Sequence, residues 1–277
     1  MTDTVFTVVG PNGFIGRNLM RALRRAGVPV DGLDPQVDIL PTGGLGHVIY
    51  CVGLTADFRT RPLATVEAHV GALRGLLERE VSSLTYLSST RVYLHAGATT
   101  EDTAIPVDPT RLDDLYALSK LTGEALCLQA LGHRAKVVRL SNVVGPRHDR
   151  HAFLNDVIAD ARATGHVSFR TGWETGRDLI SIDDVTGALP RIASSDVHGI
   201  INLASGRITT NRQIADLLAR HLGTTASVAE HAPTVPSTPI DITRLKHRLG
   251  LTPSPVEDYF GDQLARIIED LERDALS

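Results

Sequence analysis

A short β-branched run, Thr4 to Val9, ends on Gly10 and passes at once into a helical pattern, with Gly10-Pro11-Asn12-Gly13-Phe14-Ile15-Gly16 at the join. Three glycines in GxxGxxG spacing let the backbone turn sharply and approach an anion with no Cβ in the way. Phe14, Ile15, Leu19 and Leu23 recur at helical spacing, so the following helix points unpaired N–H donors and its positive dipole end at the turn. Gly10, Asn12, Gly13, Phe14, Ile15 and Gly16 are therefore candidate contacts for a dinucleotide pyrophosphate, although the glycine spacing alone also fits a plain turn. Asp34 follows the next strand-like run, Val28 to Leu33, about 20 to 25 residues past the first glycine, where a carboxylate accepts hydrogen bonds from adenosine ribose hydroxyls. Pro35 and Gln36 follow it in place of a basic residue, so NAD is expected, while Arg17 and Arg24 leave NADP open.

Further strand patterns at His47–Val52, Leu84–Ser88 and Lys136–Leu140 alternate with helical patterns at Thr65–Arg79 and Asp113–Leu131. This alternation predicts an α/β fold, a Rossmann-type doubly wound parallel sheet covered on both faces. After that point the order is less regular. A helix is expected around Phe153–Thr164, a strand near Leu179–Ile182, a helix from Asp183, a strand at Ile200–Leu203, a helix over Asn211–Leu222, and a closing amphipathic helix through Phe260, Leu264, Ile267, Ile268 and Leu271. The expected division is a nucleotide-binding domain over 1–145, to which about 177–206 returns, and a smaller α/β substrate lobe over most of 146–277.

Tyr116-Ala117-Leu118-Ser119-Lys120 sets a phenol and an ammonium four residues apart on one helix face, so both reach one spot. A lysine charge beside a phenol favours the phenolate, which then exchanges a proton with a substrate oxygen. Tyr86-Leu87-Ser88-Ser89-Thr90-Arg91-Val92-Tyr93 places hydroxyls at the carboxyl end of a buried strand, where open α/β sheets bind ligands. Each pair alone is an ordinary surface or turn feature. Their order behind a dinucleotide turn favours a catalytic reading.

These motifs together resemble the extended short-chain dehydrogenase/reductase family, the NAD-dependent epimerases, dehydratases and ketoreductases of nucleotide sugars. Five further segments carry the resemblance: Val37–Ile39, Val48–Gly53, Arg139–Pro146, Arg177–Val185 and Ile201–Gly206. The resemblance implies Ser89 as catalytic hydroxyl, Tyr116 as acid/base and Lys120 as its electrostatic partner. It further implies adenine contacts from Asp38 and Ile39, cofactor contacts from Cys51, Val52 and Gly53, nicotinamide-end contacts from Ser141 and Val143, and substrate contacts from Thr90, Asn142 and Arg177. A homodimer is implied by resemblance alone. The 4,6-dehydratases of the family carry an Asp-Glu pair where this chain has Thr90 and Arg91, which disfavours elimination and leaves epimerisation or net reduction. His69 stands where the family commonly has Asn.

Composition excludes several other classes. With 28 Lys and Arg against 32 Asp and Glu, the chain has no general basic footprint for nucleic acid. No apolar run suggests a membrane span, and the first residues lack a signal-peptide pattern, so a cytoplasmic protein is expected. Cys51 and Cys127 do not make a disulfide framework. His148 and His151 invite a metal reading, but no third ligand falls at suitable spacing and no metal is expected. Trp173, the one tryptophan, sits in a glycine-flanked loop and suits either a stacking partner or a surface cap; Arg59 and Arg61 suit substrate or solvent. Two rival functions are a dehydrogenase or reductase of a carbonyl or polyol without a nucleotide, and a non-catalytic dinucleotide sensor. The joint presence of Ser89, Tyr116 and Lys120 counts against the sensor.

Overall fold

The computed structural model describes residues 5–35, 37, 43–54, 58–146 and 153–275. The chain opens with β1 (Phe6–Val9), α1 (Phe14–Arg25), β2 (Val30–Leu33) and β3 (His47–Tyr50). Next come α2 (Pro62–Val66) and α3 (Ala72–Leu77), joined by a π-turn over Glu67–Gly71, and then β4 (Ser83–Ser89), α4 (Asp114–Leu131) and β5 (Ala135–Leu140). Then follow β6 (Asn142–Val144), α5 (Phe153–Thr164), β7 (His166–Phe169), β8 (Gly176–Ser181), α6 (Ile182–Ser194) and β9 (Gly199–Leu203). The chain closes with β10 (Ile208–Thr210), α7 (Asn211–Leu222), β11 (Thr225–Val228), α8 (Thr243–Leu249) and α9 (Val256–Ala275).

Two compact units result. The first comprises Met1–Leu140, Asp183–Leu203 and Asp241–Leu251, and the second Ser141–Ile182, Ala204–Ile240 and Thr252–Ser277. In the first, six strands form an all-parallel sheet in the order β2-β1-β3-β4-β5-β9. This is the Rossmann-like α/β architecture. β1 has β2 on one side and β3 on the other, with Val9 opposite both Leu33 and Tyr50. Strand order reverses there, and such a switch point opens a crevice at the carboxyl ends of the strands. The strands β4 and β5 are almost wholly buried, as strands covered on both faces must be. One core cluster gathers Val9, Val48, Tyr50, Leu73, Leu76 and Cys127 under α3 and α4. Helix α4 packs close to β4 because Gly123 faces Tyr86: a Cβ there would stand 2.3 Å from the phenol oxygen.

The second unit contains the three-stranded sheet β10-β8-β6, the parallel pair β11-β7, and helices α5, α7 and α9. Its core includes Ile158, Phe169, Leu179, Leu218, Phe260 and Ile267. The closing helix thus buries the apolar stripe read from its spacing. The strand pattern at Leu179–Ile182 belongs to β8 in this unit, while the return to the first unit begins at Asp183. The expected single helix over Thr65–Arg79 is interrupted by the π-turn. Val37 lies in an exposed turn, and the strand tip expected there continues into Asp38 and Ile39, which lie outside the described residues.

Candidate active site

At the end of β1 the chain turns through Gly10 at φ +80°, where its N–H donates to the Leu33 carbonyl at 2.8 Å. A side chain at Gly10 would press on Val52, and one at Gly16 would stand 2.1 Å from the Gly10 carbonyl oxygen, so both positions are fixed by close backbone approach. Gly13 is different. A Cβ there would meet nothing nearer than 3.6 Å, so the protein itself leaves this point open. Gly13 is also the N-cap of α1 and supplies no side-chain hydrogen bond to it. Asn12 and Gly13 are exposed, Phe14 and Ile15 are half-buried, and the Asn12 carbonyl accepts from the Arg17 guanidinium at 2.7 Å. Asp34 directly follows β2 beside this turn. The open cradle, uncapped helix end and neighbouring carboxylate fit a dinucleotide.

Cys51, Val52 and Gly53 continue from β3, with the Cys51 N–H donating to the Val9 carbonyl at 2.8 Å. Burial pushes the Cys51 thiol up to about 12 despite the Lys120 charge, so it stays protonated. The loop runs directly to the catalytic candidates: a Cβ on Gly53 would lie 3.4 Å from Lys120 Nζ and 3.6 Å from His69 Nε2. Tyr116 and Lys120 are 3% and 4% exposed on α4. Lys120 Nζ donates to the Leu87 carbonyl at 2.8 Å, which ties it to the strand ending in Ser89. Desolvation pulls its ammonium down to about 7, with Glu124 and then Cys51 acting in the opposite direction. Ser89 Oγ accepts the Arg91 N–H at 3.2 Å, and Thr90 Oγ1 lies 3.5 Å from the Leu140 carbonyl oxygen.

His69 is the residue whose placement sequence reasoning left undecided. It is wholly buried in the π-turn, a helix irregularity frequent at functional sites. Its Nε2 faces the Leu54 N–H at 3.4 Å and its Nδ1 lies 2.8 Å from Ser119 Oγ, so the ring is a neutral Nδ1–H tautomer that accepts on one side and donates on the other. Burial, reinforced by Lys120, pulls its pKa down to about 2. The ring meets Tyr116 edge-on at 5.2 Å between centroids. Around the turn, Tyr50 and Tyr86 donate their hydroxyls to the Ala68 and His69 carbonyls at 2.7 and 3.1 Å, taking up acceptors next to the irregularity. Phe58 packs on Tyr116 at 5.3 Å.

Glu124, one turn beyond Lys120, accepts from Arg139 at 3.1 and 2.7 Å and from Ser88 at 2.5 Å. Arg139 also donates to Tyr93, whose hydroxyl donates to Asn202 Oδ1, each at 2.9 Å. This buried chain of side chains fastens α4 to β4, β5 and β9; Ser88, Tyr93, Arg139 and Asn202 fall in motif segments singled out in the sequence, whereas Glu124 falls only within a helical pattern, and the network itself was not visible there.

The remaining candidates lie in the second unit. Ser141 is buried, Val143 is half-buried on β6, and Asn142 donates to the Asp178 carbonyl at 3.0 Å. Arg177, on β8 of the same sheet, stacks its guanidinium 3.4 Å from the Phe153 ring centroid. Its Nη1 is buried and has no hydrogen-bond partner among the described residues. Desolvation by burial pulls its pKa down. Trp173 packs against the core of this unit, 5.9 Å from Phe169, with the Arg212 guanidinium over its ring at 5.1 Å. His148 and His151 lie outside the described residues; among those described, no group of three His, Cys, Asp or Glu side chains is gathered as a metal site. No described helix is long and apolar enough to cross a membrane.

The chain is 29% identical over 249 residues to GDP-6-deoxy-D-mannose reductase of Pseudomonas aeruginosa, covering 79% of this chain and 80% of that one. It is 27% identical over 286 residues to dTDP-6-deoxy-L-talose 4-dehydrogenase (NAD(P)(+)) of Kitasatospora kifunensis, covering 89% and 90%. Among solved structures, MoeE5 in complex with UDP-glucose and NAD superposes with a TM-score of 0.77 at 22% identity, covering 98% of this chain and 99% of that one. The profile of the NAD dependent epimerase/dehydratase family matches residues 6–204, a span that includes the glycine turn, the Tyr116–Lys120 helix and Arg177, and the chain belongs to that family.

Proposed function

We propose that the protein is an NAD(P)-dependent oxidoreductase of nucleotide sugars, acting at a sugar hydroxyl or ketone with Ser89, Tyr116 and Lys120, and that net 4-keto reduction is its reaction. The observation that carries this reading is the convergence of Lys120, His69 and Gly53, which joins the Tyr116 helix to the loop leaving the switch point. A net redox reaction, as opposed to epimerisation, follows the two curated relatives, one named a reductase and one a 4-dehydrogenase of nucleotide-linked deoxysugars.

Gly10, Asn12, Gly13, Phe14, Ile15 and Gly16 hold the cofactor pyrophosphate, Asp34 an adenosine ribose, and Cys51, Val52 and Gly53 line its path. Bound there, the nicotinamide supplies the hydride donor or acceptor. Tyr116 gives its phenolic proton to the substrate oxygen in reduction and takes one in oxidation. The Lys120 charge supports the phenolate form, and Ser89 donates to the same oxygen, lowering the cost of charge developing on it. Asn142 and Arg177 serve the substrate diphosphate: a desolvated guanidinium whose Nη1 has no hydrogen-bond partner among the described residues binds a phosphate oxygen strongly. Ser141 and Val143 are assigned to the nicotinamide end and Thr90 to the sugar. Asp34, with Pro35 after it, favours NAD over NADP.

Tyr116→Phe tests the mechanism. Turnover of a 4-keto nucleotide sugar should fall at least about 1000-fold, in the upper range of one acid/base group, while NAD affinity stays within severalfold. Full activity in that variant would remove the phenol from the mechanism. Epimerisation is the second reading. Protein purified without added cofactor and denatured should release little NAD(H) if the reaction is net reduction, and close to one equivalent if the cofactor is recycled within each turnover.

A further inference from the structure

A chain of hydrogen bonds runs from the loop after β3 to the backbone of the proposed acid. The Leu54 N–H faces His69 Nε2 at 3.4 Å, His69 Nδ1 lies 2.8 Å from Ser119 Oγ, and Ser119 Oγ donates to the Tyr116 carbonyl at 2.9 Å. Its polarity is fixed by its two ends. An amide N–H can only donate and a carbonyl can only accept, so the ring accepts from the loop and gives its one proton to Ser119. The loop end of the chain lies beside the exposed Gly53, where an added Cβ would stand 3.4 Å from Lys120 Nζ and 3.6 Å from His69 Nε2.

A buried histidine with both nitrogens engaged is ordinarily a satisfied core residue. Two features ask more of this one. The first is how it is held: Tyr50 and Tyr86 donate to the Ala68 and His69 carbonyls of the π-turn, and the ring stands edge-on to Tyr116, so backbone and imidazole are both fixed. The second is reach. Counted in bonds from Cα, Nδ1 stands where the side-chain amide of an asparagine would stand, and Nε2 stands one bond further, where that of a glutamine would. The asparagine common here in the family would therefore meet Ser119 and stop short of Leu54, whereas the histidine spans both.

We infer that His69 is a positioning residue for the cofactor loop, tying Gly53–Leu54 to α4 at Ser119 and Tyr116 so that the loop is in its binding position before the dinucleotide arrives. The inference rests on the assignment of that loop to the cofactor and adds to it the side chain that holds the loop in place. Burial keeps the ring neutral, so it acts by holding and exchanges no proton with the substrate. A loop ordered in advance lowers the entropy lost on binding.

The test is calorimetric titration of the full-length protein with NAD or NADP, whichever binds tighter. His69→Asn keeps the bond to Ser119, loses the one to Leu54, and should weaken binding about 3- to 10-fold, the range of one neutral hydrogen bond. His69→Gln returns an acceptor to the Leu54 N–H and should bind within about twofold of the unaltered protein, whatever it loses in thermal stability at the Ser119 end. That order, glutamine rescuing where asparagine does not, is the signature of a bond to the loop. A histidine that only fills the core predicts no such order, so equal affinity in both variants, or weaker binding in His69→Gln than in His69→Asn, overturns the proposal. The unaltered protein supplies a check that needs no variant: the Leu54 amide should exchange with solvent deuterium slowly before any cofactor is added, and exchange as fast as that of an unstructured peptide overturns the proposal. If neither dinucleotide binds the unaltered protein, the cofactor assignment falls and this inference falls with it.

Discussion

Replacing Arg139 by methionine isolates the contribution of the buried network that fixes α4, the helix carrying Tyr116 and Lys120. The arginine and Glu124 side chains are 3% and 4% exposed and meet through two charge-assisted hydrogen bonds. Arg139→Met leaves the Glu124 carboxylate in the interior with only the Ser88 hydroxyl as donor. Breaking a buried pair in this way costs about 3–5 kcal/mol, because the abandoned charge keeps its desolvation penalty. At about 2–3 kcal/mol per molar urea, the unfolding midpoint should fall by about 1–2 M. Removing all three members, as Arg139→Met with Glu124→Leu and Ser88→Ala, should recover most of that loss, since no unpaired polar group is left among them. Far-UV circular dichroism should follow the transition, while Trp173 fluorescence, which belongs to the second unit, serves as an internal control. A loss under about 1 kcal/mol in the single variant, or no recovery in the triple one, would refute the assignment of α4's position to this ion pair.

The two glycines of the cofactor turn should separate folding from binding. Gly16→Ala meets the Gly10 carbonyl and should lower the melting temperature as well as NAD affinity, whereas Gly13→Ala has room in the protein and should lower only NAD affinity, by about tenfold or more; calorimetry and thermal melts check both. Lys120 makes stability rise with pH: from about 7 up to its ordinary 10.5 the unfolded chain holds a proton that the folded chain has released, so the slope gains up to about 1.4 kcal/mol per pH unit. Lys120→Met should flatten that slope between pH 7 and 9 in the cofactor-free protein. His69 acts at the acid end. As pH falls below 6.5 the unfolded chain gains a proton that the buried ring refuses, so stability drops, and His69→Asn should reduce that acid loss in denaturant titrations at pH 4–6.

The Rossmann-like fold was legible because its signals are local. The glycine turn, the strand patterns and the Tyr116–Lys120 helix each follow from spacing within a few residues, and the sheet order then puts the turn and the Cys51–Gly53 loop at one switch point. The short strands β6, β7, β10 and β11 were not legible. Three or four residues with mixed exposure give too little alternation to stand out, and their pairing is set by the second unit as a whole. Arg59 could be seen near the substrate end but not assigned, because its partners Phe58, Arg91 and Asp113 meet only through tertiary packing. The partnership of His69 with Ser119 and Leu54 was likewise invisible, since it depends on a π-turn that helical periodicity does not announce.

The sixth strand of the first unit has a bearing on synthesis. β5 is buried along its whole length and pairs on one side with β4 and on the other with β9, which follows it in the sequence by some sixty residues. Asn202 then fastens that late strand by donating to the Thr99 and Asp241 carbonyls, and Arg244 adds a bond to Ile200. As the chain leaves the ribosome, the first five strands emerge well before their edge can be covered. Until β9 arrives, β5 offers a row of unpaired backbone groups in an apolar setting, the kind of edge on which nascent chains associate wrongly. A chain cut after Leu140 should therefore be a poor stand-in for the nucleotide-binding unit and prone to aggregate, although it contains every residue of the glycine turn and of the Ser89, Tyr116 and Lys120 set.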